Sequence, residues 1–317
     1  MAIAETVVEI ILNGLQQGAI FALLGIGLTI ILGAMKFLNL AHGALYLLGG
    51  YAGMYFIRET TLSTGVLYDS GVTTIGLGLG FAAAMILVPL VGFIIGLAME
   101  HWVAEPFYDR PDTDQLLVTF GLALIVQEIV KGIIGGNTFQ PAAPKRIFGI
   151  SVSGPVHLPI VGAYPQWRLY LVGIALVVIG LTWLVIERTD FGLIVQAGTH
   201  DSEMVRLLGI KINRSYSLVF AMGAALAAFA GLIGVSFQTV SPQIGTEQAL
   251  IPAFLVLVVG GAGSVVGAIV GGFVLGITIV TMTVVASQWA QIVLYAVAAL
   301  VLLTRPEGLF GSKGVSE

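Results

Sequence analysis

Cysteine is absent from the 317 residues. The chain can therefore form no disulfide, thiolate metal site or cysteine nucleophile, and redox chemistry says nothing about its compartment. Histidine is scarce, with four scattered residues, which argues against a metal cluster. Charge is scarce as well: Asp, Glu, Lys and Arg make up 9% of the chain, against about a quarter in a soluble domain. Set beside 57% hydrophobic residues and a mean hydropathy of +1.02, this excludes an ordinary soluble domain and predicts an all-α polytopic membrane protein. The formal net charge of -4 gives no reason to expect a nucleic-acid partner. The opening MAIAETVVEI lacks the basic flank of a cleaved signal and carries Glu5 and Glu9 instead, so the first apolar segment is expected to remain as a helix. No P-loop lysine motif is present. The run GGAGSVVGAIVGG follows no strand and lacks Gly-Lys-Ser/Thr, so an ATP-driven process would need its ATPase on another polypeptide.

What the chain does have is long apolar runs. A spanning helix needs about 20 apolar residues, and eight segments qualify, near 8–33, 37–57, 73–99, 115–136, 168–187, 214–236, 263–285 and 289–304. The segment 249–260 is shorter and contains Pro252. It suits a half-helix, or a tilted span completed by Thr246, Glu247 and Gln248. The expected architecture is thus one transmembrane domain over 1–317 with about eight helices and a possible half-helix. Glycines recur four apart at Gly14 and Gly18, at Gly92 and Gly96, through Gly263, Gly267 and Gly271, and at Gly272 and Gly276. That spacing favours close helix packing in lipid over ligand contact. The stretch 137–167 holds five prolines and little helical periodicity, which predicts an irregular cap over one mouth of the bundle.

Eight of the 30 charged residues crowd into 187–214, ERTDFGLIVQAGTHDSEMVRLLGIKINR. Thr189 and Asp201 are candidate N-caps, and Gly198 and Gly209 candidate stops, so two short helices are expected. Phe191, Ile194 and Val195 fall on one side of the first, while Met204, Leu207 and Leu208 line the second. Two readings follow: an interfacial loop resting on the bilayer or on the protein's own base, or a plug for another protein's groove. Assigning this loop to the cytoplasm puts Lys36, Arg110, Arg188, Arg206, Lys211, Arg214, Arg305 and Lys313 inside and Arg58, Lys145, Arg146 and Arg168 outside. That distribution follows the positive-inside rule, and with 249–260 as a crossing it puts the N-terminus outside and the C-terminus inside.

Polar groups inside apolar segments are the candidate path. Asn39 and His42 are three apart just before Gly43, on one helical face. Gln127 and Glu128 sit in the fourth segment, with Lys131 one turn on as a partner for Glu128. Such groups are costly in lipid and ought to face the bundle interior. They either bond neighbouring helices or line a translocation path.

The stretch 13–53, NGLQQGAIFALLGIGLTIILGAMKFLNLAHGALYLLGGYAG, resembles the signature of inner-membrane permeases of branched-chain amino acid ABC importers. Three further blocks keep that family's order: the run from Met99 to EIV, the charged loop with TDFG and LLGIKINR, and the run from Ser241 through VVGG. NLAHGALYLLGGY is similar to the LivH-type subunit. The resemblance implies a multi-pass inner-membrane permease with no chemistry or cofactor of its own and with ATP bound on partner subunits. The implied partners are a LivM-type permease in a heterodimer, two ABC ATPases, an extracytoplasmic substrate-binding protein and membrane lipid. It implies a branched-chain or other small apolar amino acid as solute, with urea or short amides as the alternative. The resemblance does not identify which side chains touch solute; the polar groups above make Asn39, His42, Gly43, Gln127 and Glu128 the candidate path. ATPase coupling would fall to the loop 187–214 through Phe191, Ile194, Val195, Gly198, Met204, Leu207, Leu208 and Gly209. One departure is Gln196, where the family often has a basic residue. A passive channel would require a second, inverted copy of 39–43, for which SPQIG is the nearest candidate, and a secondary carrier would have only Glu128 as a coupling carboxylate.

Overall fold

The computed structural model describes residues 2–200, 202–210 and 212–311. Asp201, expected to cap a helix, and Lys211 and Lys313 of the charge count lie outside the described residues. The chain is mostly helical. Among the described residues six stretches are long and apolar enough to cross a membrane: Ile3–Met35, Phe81–Phe107, Asp112–Ile134, Gln166–Arg188, Ile212–Gly234 and Val265–Thr304.

Helix α1, Ala2–Met35, ends where Lys36 adopts a left-handed φ of 52°. Helix α2 starts only at His42 and runs to Ile57, later than the expected start near 37, because 36–41 is unwound. A hairpin of β1 (Thr60–Thr61) and β2 (Thr74–Ile75) encloses the single turn α3, Val66–Asp69. Consequently α4 is Phe81–Met99 and not a helix from 73. A π turn, Glu100–Ala104, and a 3-10 turn, Glu105–Phe107, lead to α5, Asp112–Ile134.

Up to Pro165 the proline-rich stretch forms no helix. It folds into two antiparallel hairpins, β3 (Arg146–Ile147) with β4 (Ile150–Ser151) and β5 (Pro155–Leu158) with β6 (Gly162–Pro165). These mark the capped end of the bundle. Helix α6, Gln166–Arg188, then leads to the short pair α7, Asp190–His200, and α8, Ser202–Leu207, at the opposite end. Helix α9 is Ile212–Gly234. A π turn, Gly245–Leu250, runs into α10, Ile251–Gly260, whose Pro252 sits in the first turn of that helix. Helices α11, Val265–Ala286, and α12, Ala290–Thr304, are separated by a break at Ala286 (φ -156°, ψ 73°) and pack on each other.

The helices are arranged as two copies of one motif running in opposite directions. Gly14 lies against Ile277 and Gly18 against Phe273, so α1 and α11 are antiparallel. Gly25 at Val256 and Gly33 at Gly263 make α1 parallel to α10. In the other half, Gly96 at Ala221 and Gly92 at Ala228 make α9 antiparallel to α4. Gly49 at Ala228 and Gly53 at Leu232 make α9 parallel to α2. Helix α2 also touches α4 and α5, as α10 touches α11 and α12. The neighbour relations of α1, α2, α4 and α5 are therefore repeated by α9, α10, α11 and α12, with α6 and the short pair between them. This is an inverted-topology repeat, an architecture that places functional elements near the bilayer midplane at the repeat interface. The glycines four apart lie at these contacts. With little hydrophobic force between helices in lipid, close van der Waals packing of small residues holds them together.

Candidate functional site

The repeat interface is built from two unwound segments. After Lys36 the chain turns back along the first turns of α5. There the Leu38 N–H donates to Gln115 Oε1 (3.1 Å) and the Leu40 N–H to Thr119 Oγ1 (3.0 Å). Gln115 in turn donates through Nε2 to the Arg110 and Phe107 carbonyls (3.1 and 3.3 Å), and the Thr119 hydroxyl donates to the Gln115 carbonyl (2.7 Å). Thr119 lies seven residues into α5, about 10 Å along its axis at 1.5 Å per residue. Non-helical backbone at such depth persists only where protein satisfies its polar groups. Gln115 and Thr119, 3% and 1% exposed, do so here. The reading of the sequence passed over both, although two polar residues four apart on an apolar span were the available signal.

Helix α2 therefore begins inside the bundle. His42 is fully buried, and its Nε2 lies 3.1 Å from the Leu24 carbonyl. A carbonyl only accepts, so Nε2 carries the proton there. Asn39 is also fully buried, and neither of its amide atoms has a hydrogen-bond partner among the described residues. Gly43 packs directly on Gly245, each at a point where a Cβ would strike the other's carbonyl oxygen.

Gly245 belongs to the second unwound segment. Val240 bridges to Phe139 below the cap, and 241–244 then leads inward to the π turn. The Thr246 hydroxyl donates to Gln127 Oε1 (3.3 Å), so Gln127 reaches the same junction as Asn39, His42 and Gly43. Glu128 does not. Its side chain leaves the bundle and lies 3.1 Å from Lys131. Nearer the cap, Tyr46 donates to Gln238 and Gln238 to Gln17 (3.1 and 3.2 Å), joining both halves through polar side chains that the sequence reading did not single out.

At the opposite end Thr189 accepts the Gly192 N–H (3.3 Å) and caps α7 as expected. Gly198 does not stop that helix, which runs to His200. It is buried against α9 instead, where a Cβ would stand 2.9 Å from the movable tip of Ile212, Cδ1. Gly209, with φ 80° and its N–H on the Arg206 carbonyl (2.9 Å), ends α8 as expected. The apolar side of α7 is turned inward: Val195 is buried, Phe191 packs on the core and Ile194 is half-buried. Leu193, Met204, Leu207 and Leu208 are exposed instead, Leu207 by 76%. Gln196, the departure from the family pattern, donates to the Ile186 carbonyl (3.0 Å) and ties α7 to the end of α6.

A buried carboxylate joins this end to the junction. Glu100 accepts from Tyr108 (2.5 Å) and from Ser217 in the second turn of α9 (2.7 Å). Tyr108 stacks edge-on against Tyr216 and Phe37. Burial, and then the Glu100 carboxylate, push the Tyr108 phenol well above its ordinary range, so it remains a donor. The contacts thus run from α7 through Tyr216 and Tyr108 to Phe37, two residues from Asn39.

Comparison with known proteins fits this geometry. The family described as branched-chain amino acid transport system, permease component, matches residues 10–302. The chain is 33% identical over 312 residues to the high-affinity branched-chain amino acid transport system permease protein BraD of Pseudomonas aeruginosa, covering 97% of this chain and 96% of the relative. It is 29% identical over 307 residues to the permease protein LivH of Escherichia coli, with 96% of each covered. It is 22% identical over 273 residues to the ribose import permease protein RbsC of Escherichia coli, covering 83% of this chain and 74% of the relative. No solved structure matches. With its apolar spans and a match across nearly its whole length, the chain belongs to the permease-component family of branched-chain amino acid transport systems.

Proposed function

We infer that the chain is the inner-membrane permease subunit of an ATP-driven ABC importer for branched-chain or other small apolar amino acids. The observation that carries this is the near full-length similarity to BraD and LivH. The chain is a translocation subunit and not an enzyme, and ATP is hydrolysed on separate components.

The finer reading is as follows. Residues 1–317 form one permease domain. Val265–Thr304, broken at Ala286, counts as two crossings, and α2 and α10 complete their crossings through the unwound segments. That makes eight full-length or near full-length helices and one shorter one, with the N-terminus outside and the helix pair in the cytosol. The loop 187–214 docks in ATPase grooves through Leu193, Met204, Leu207 and Leu208, while Phe191, Ile194, Val195, Gly198 and Gly209 shape the loop behind that face. A LivM-type permease, two ATPases and a substrate-binding protein at the capped end complete the complex.

Transport then requires a bistable element that ATP biases. The junction of Gly43 with Gly245 suits that role, because unwound segments flank both glycines and contacts through Tyr216, Tyr108 and Phe37 link it to the docking helices. Asn39, His42 and Gln127 line the moving part of the path and give it polar groups. The packed contact itself is made by glycine backbone, with Glu247 of the same π turn exposed beside it.

Co-expression with a second permease of the LivM type and its ATPases tests the assembly. The complex should purify as a unit, and its ATPase rate should rise when liganded binding protein is added. A chain that purifies alone, and whose presence leaves the ATPase unaffected, would remove the ABC assignment.

A further inference from the structure

Below the cap, α4 and α6 are splayed apart around an open groove of about 810 Å³. Its wall on α6 is the stripe Gln166, Tyr170, Gly173 and Val177, its wall on α4 is Met85, and Phe148 of the β3–β4 hairpin roofs it. Gln166 and Tyr170, toward the cap, carry its only polar side-chain groups. A Cβ at Gly173 would meet nothing within 4 Å, so this glycine keeps the groove open rather than admitting a neighbouring helix. From Gln166 to Val177 is eleven residues, about 17 Å along the axis. That is close to half of a hydrocarbon layer about 30 Å thick. Farther along α6, Leu181 and Leu184 are exposed outside the groove. A partner's spanning helix would need a seat along the full thickness, whereas an acyl chain of one leaflet needs only this half.

The rim supplies charge of one sign. From 132 to 186 the chain holds Lys145, Arg146 and Arg168 and no Asp or Glu, in a protein whose formal net charge is -4. Arg168 is engaged by Asn13 and lies over the Trp167 ring. Lys145 and Arg146 are exposed, and neither is in an ion pair among the described residues. On β3 the buried Ile147 points to the core, which turns Arg146 the other way. Phe148 follows in the two-residue turn between Ile147 and Ile150, with φ of 49° and Gly149 at 82°. Such hairpin turns favour Asn or Gly at the first position, and a bulky side chain with positive φ is an outlier. Here the outlier hangs a phenyl ring, 66% exposed, over the groove.

We propose that the groove between α4 and α6 binds one anionic phospholipid of the leaflet at the capped end, with an acyl chain along Tyr170, Gly173 and Val177 beneath Phe148 and the phosphate beside Lys145 and Arg146. The lipid fills the gap between the two helices and ties the β3–β4 hairpin, which packs on α4, to the membrane surface.

The full chain in detergent, alone and with its co-expressed partner permease and ATPases, is titrated with phosphatidylglycerol, phosphatidylcholine or inorganic phosphate. Retained lipid is counted by native mass spectrometry and the thermal midpoint followed. Neither ATP nor uptake is needed, so failure of the transport reading leaves this test intact. One phosphatidylglycerol per chain should be retained in both preparations and raise the midpoint, and phosphatidylcholine should be lost. A cation near an anionic headgroup is worth about fivefold in binding, so Lys145→Gln with Arg146→Gln should weaken retention about tenfold or more. Gly173→Phe should abolish it without lowering the midpoint in lipid-free detergent. If Gly173→Phe misfolds, Val177→Trp blocks the same groove from an exposed position. Retention of phosphatidylcholine as tight as that of phosphatidylglycerol, or of phosphatidylglycerol by the filled variants, would reduce the groove to ordinary lipid-facing surface. An equal shift from inorganic phosphate would leave only an anion site on the cap, and displacement of the lipid by the partner permease would assign the groove to a subunit interface; each of these outcomes overturns the proposal.

Discussion

Gly43 and Gly245 meet backbone to backbone at the point where α2 and the π turn leading into α10 begin, and neither has room for a side chain. The contact joins the two inverted halves where an unwound segment leads into each. Gly43→Ala and Gly245→Ala should each impair transport severely. Forcing a methyl into a packed backbone contact costs about 1–3 kcal/mol of stability, which thermal unfolding in detergent would register. Gly121→Ala, which meets open space, is the control and should leave stability unchanged. Wild-type thermal stability of Gly43→Ala would argue against the packed junction.

Thr119→Val removes the acceptor for the Leu40 N–H while keeping the shape of the side chain. Leaving a buried donor unpaired costs about 1–3 kcal/mol, so the midpoint should fall by several degrees, while Thr119→Ser restores most of it. Gln115→Leu strips partners from Leu38, Phe107 and Arg110 at once and should be worse. A Thr119→Val protein as stable as wild type would mean that 36–41 finds its partners elsewhere.

Two aspartate substitutions separate docking from folding in the short pair. Leu207→Asp, on an exposed position, should leave expression and stability intact but abolish ATP-coupled uptake, because a charge buried in a partner groove without a counter-ion is strongly unfavourable. Val195→Asp, at a buried position of α7, should reduce expression itself. Normal coupling in Leu207→Asp would show that this face does not dock.

The outline of the fold was legible in the sequence because apolar run length reports spans. Thr189 and Gly209 were readable because caps and left-handed stops depend on local chemistry. Gly198 was misread for the same reason: a glycine that stops a helix and one that continues it against a neighbouring helix look alike in sequence. The start of α2 was placed near 37 because hydropathy does not register that Gln115 and Thr119, about 80 residues downstream, replace the missing helical hydrogen bonds. The inverted repeat was hidden too. LNLAHG and SPQIG share no pattern of side chains, only the requirement for a glycine where the two backbones touch.

Tyr108 donates to Glu100 between α9 and the segment after α4. Its folded pKa is raised, so the stability it contributes is fully present below its unfolded value near 10.0 and is lost as pH rises beyond it. Tyr108→Phe should therefore be less stable than wild type by a constant margin from about pH 6 to 9, and the two should converge above about pH 10. A margin that varies with pH in the lower range would point to another group.

The central claim is ATP-driven import of small apolar amino acids, and solute uptake tests it most directly. Proteoliposomes holding this chain, its partner permease and the ATPases, with ATP on the ATPase side and binding protein on the other, are supplied with labelled leucine, isoleucine, valine or urea. The account predicts saturable, ATP-dependent uptake of the three amino acids that is lost in Leu207→Asp. Saturable uptake of urea alone, or leucine uptake that proceeds equally without ATP, would contradict it.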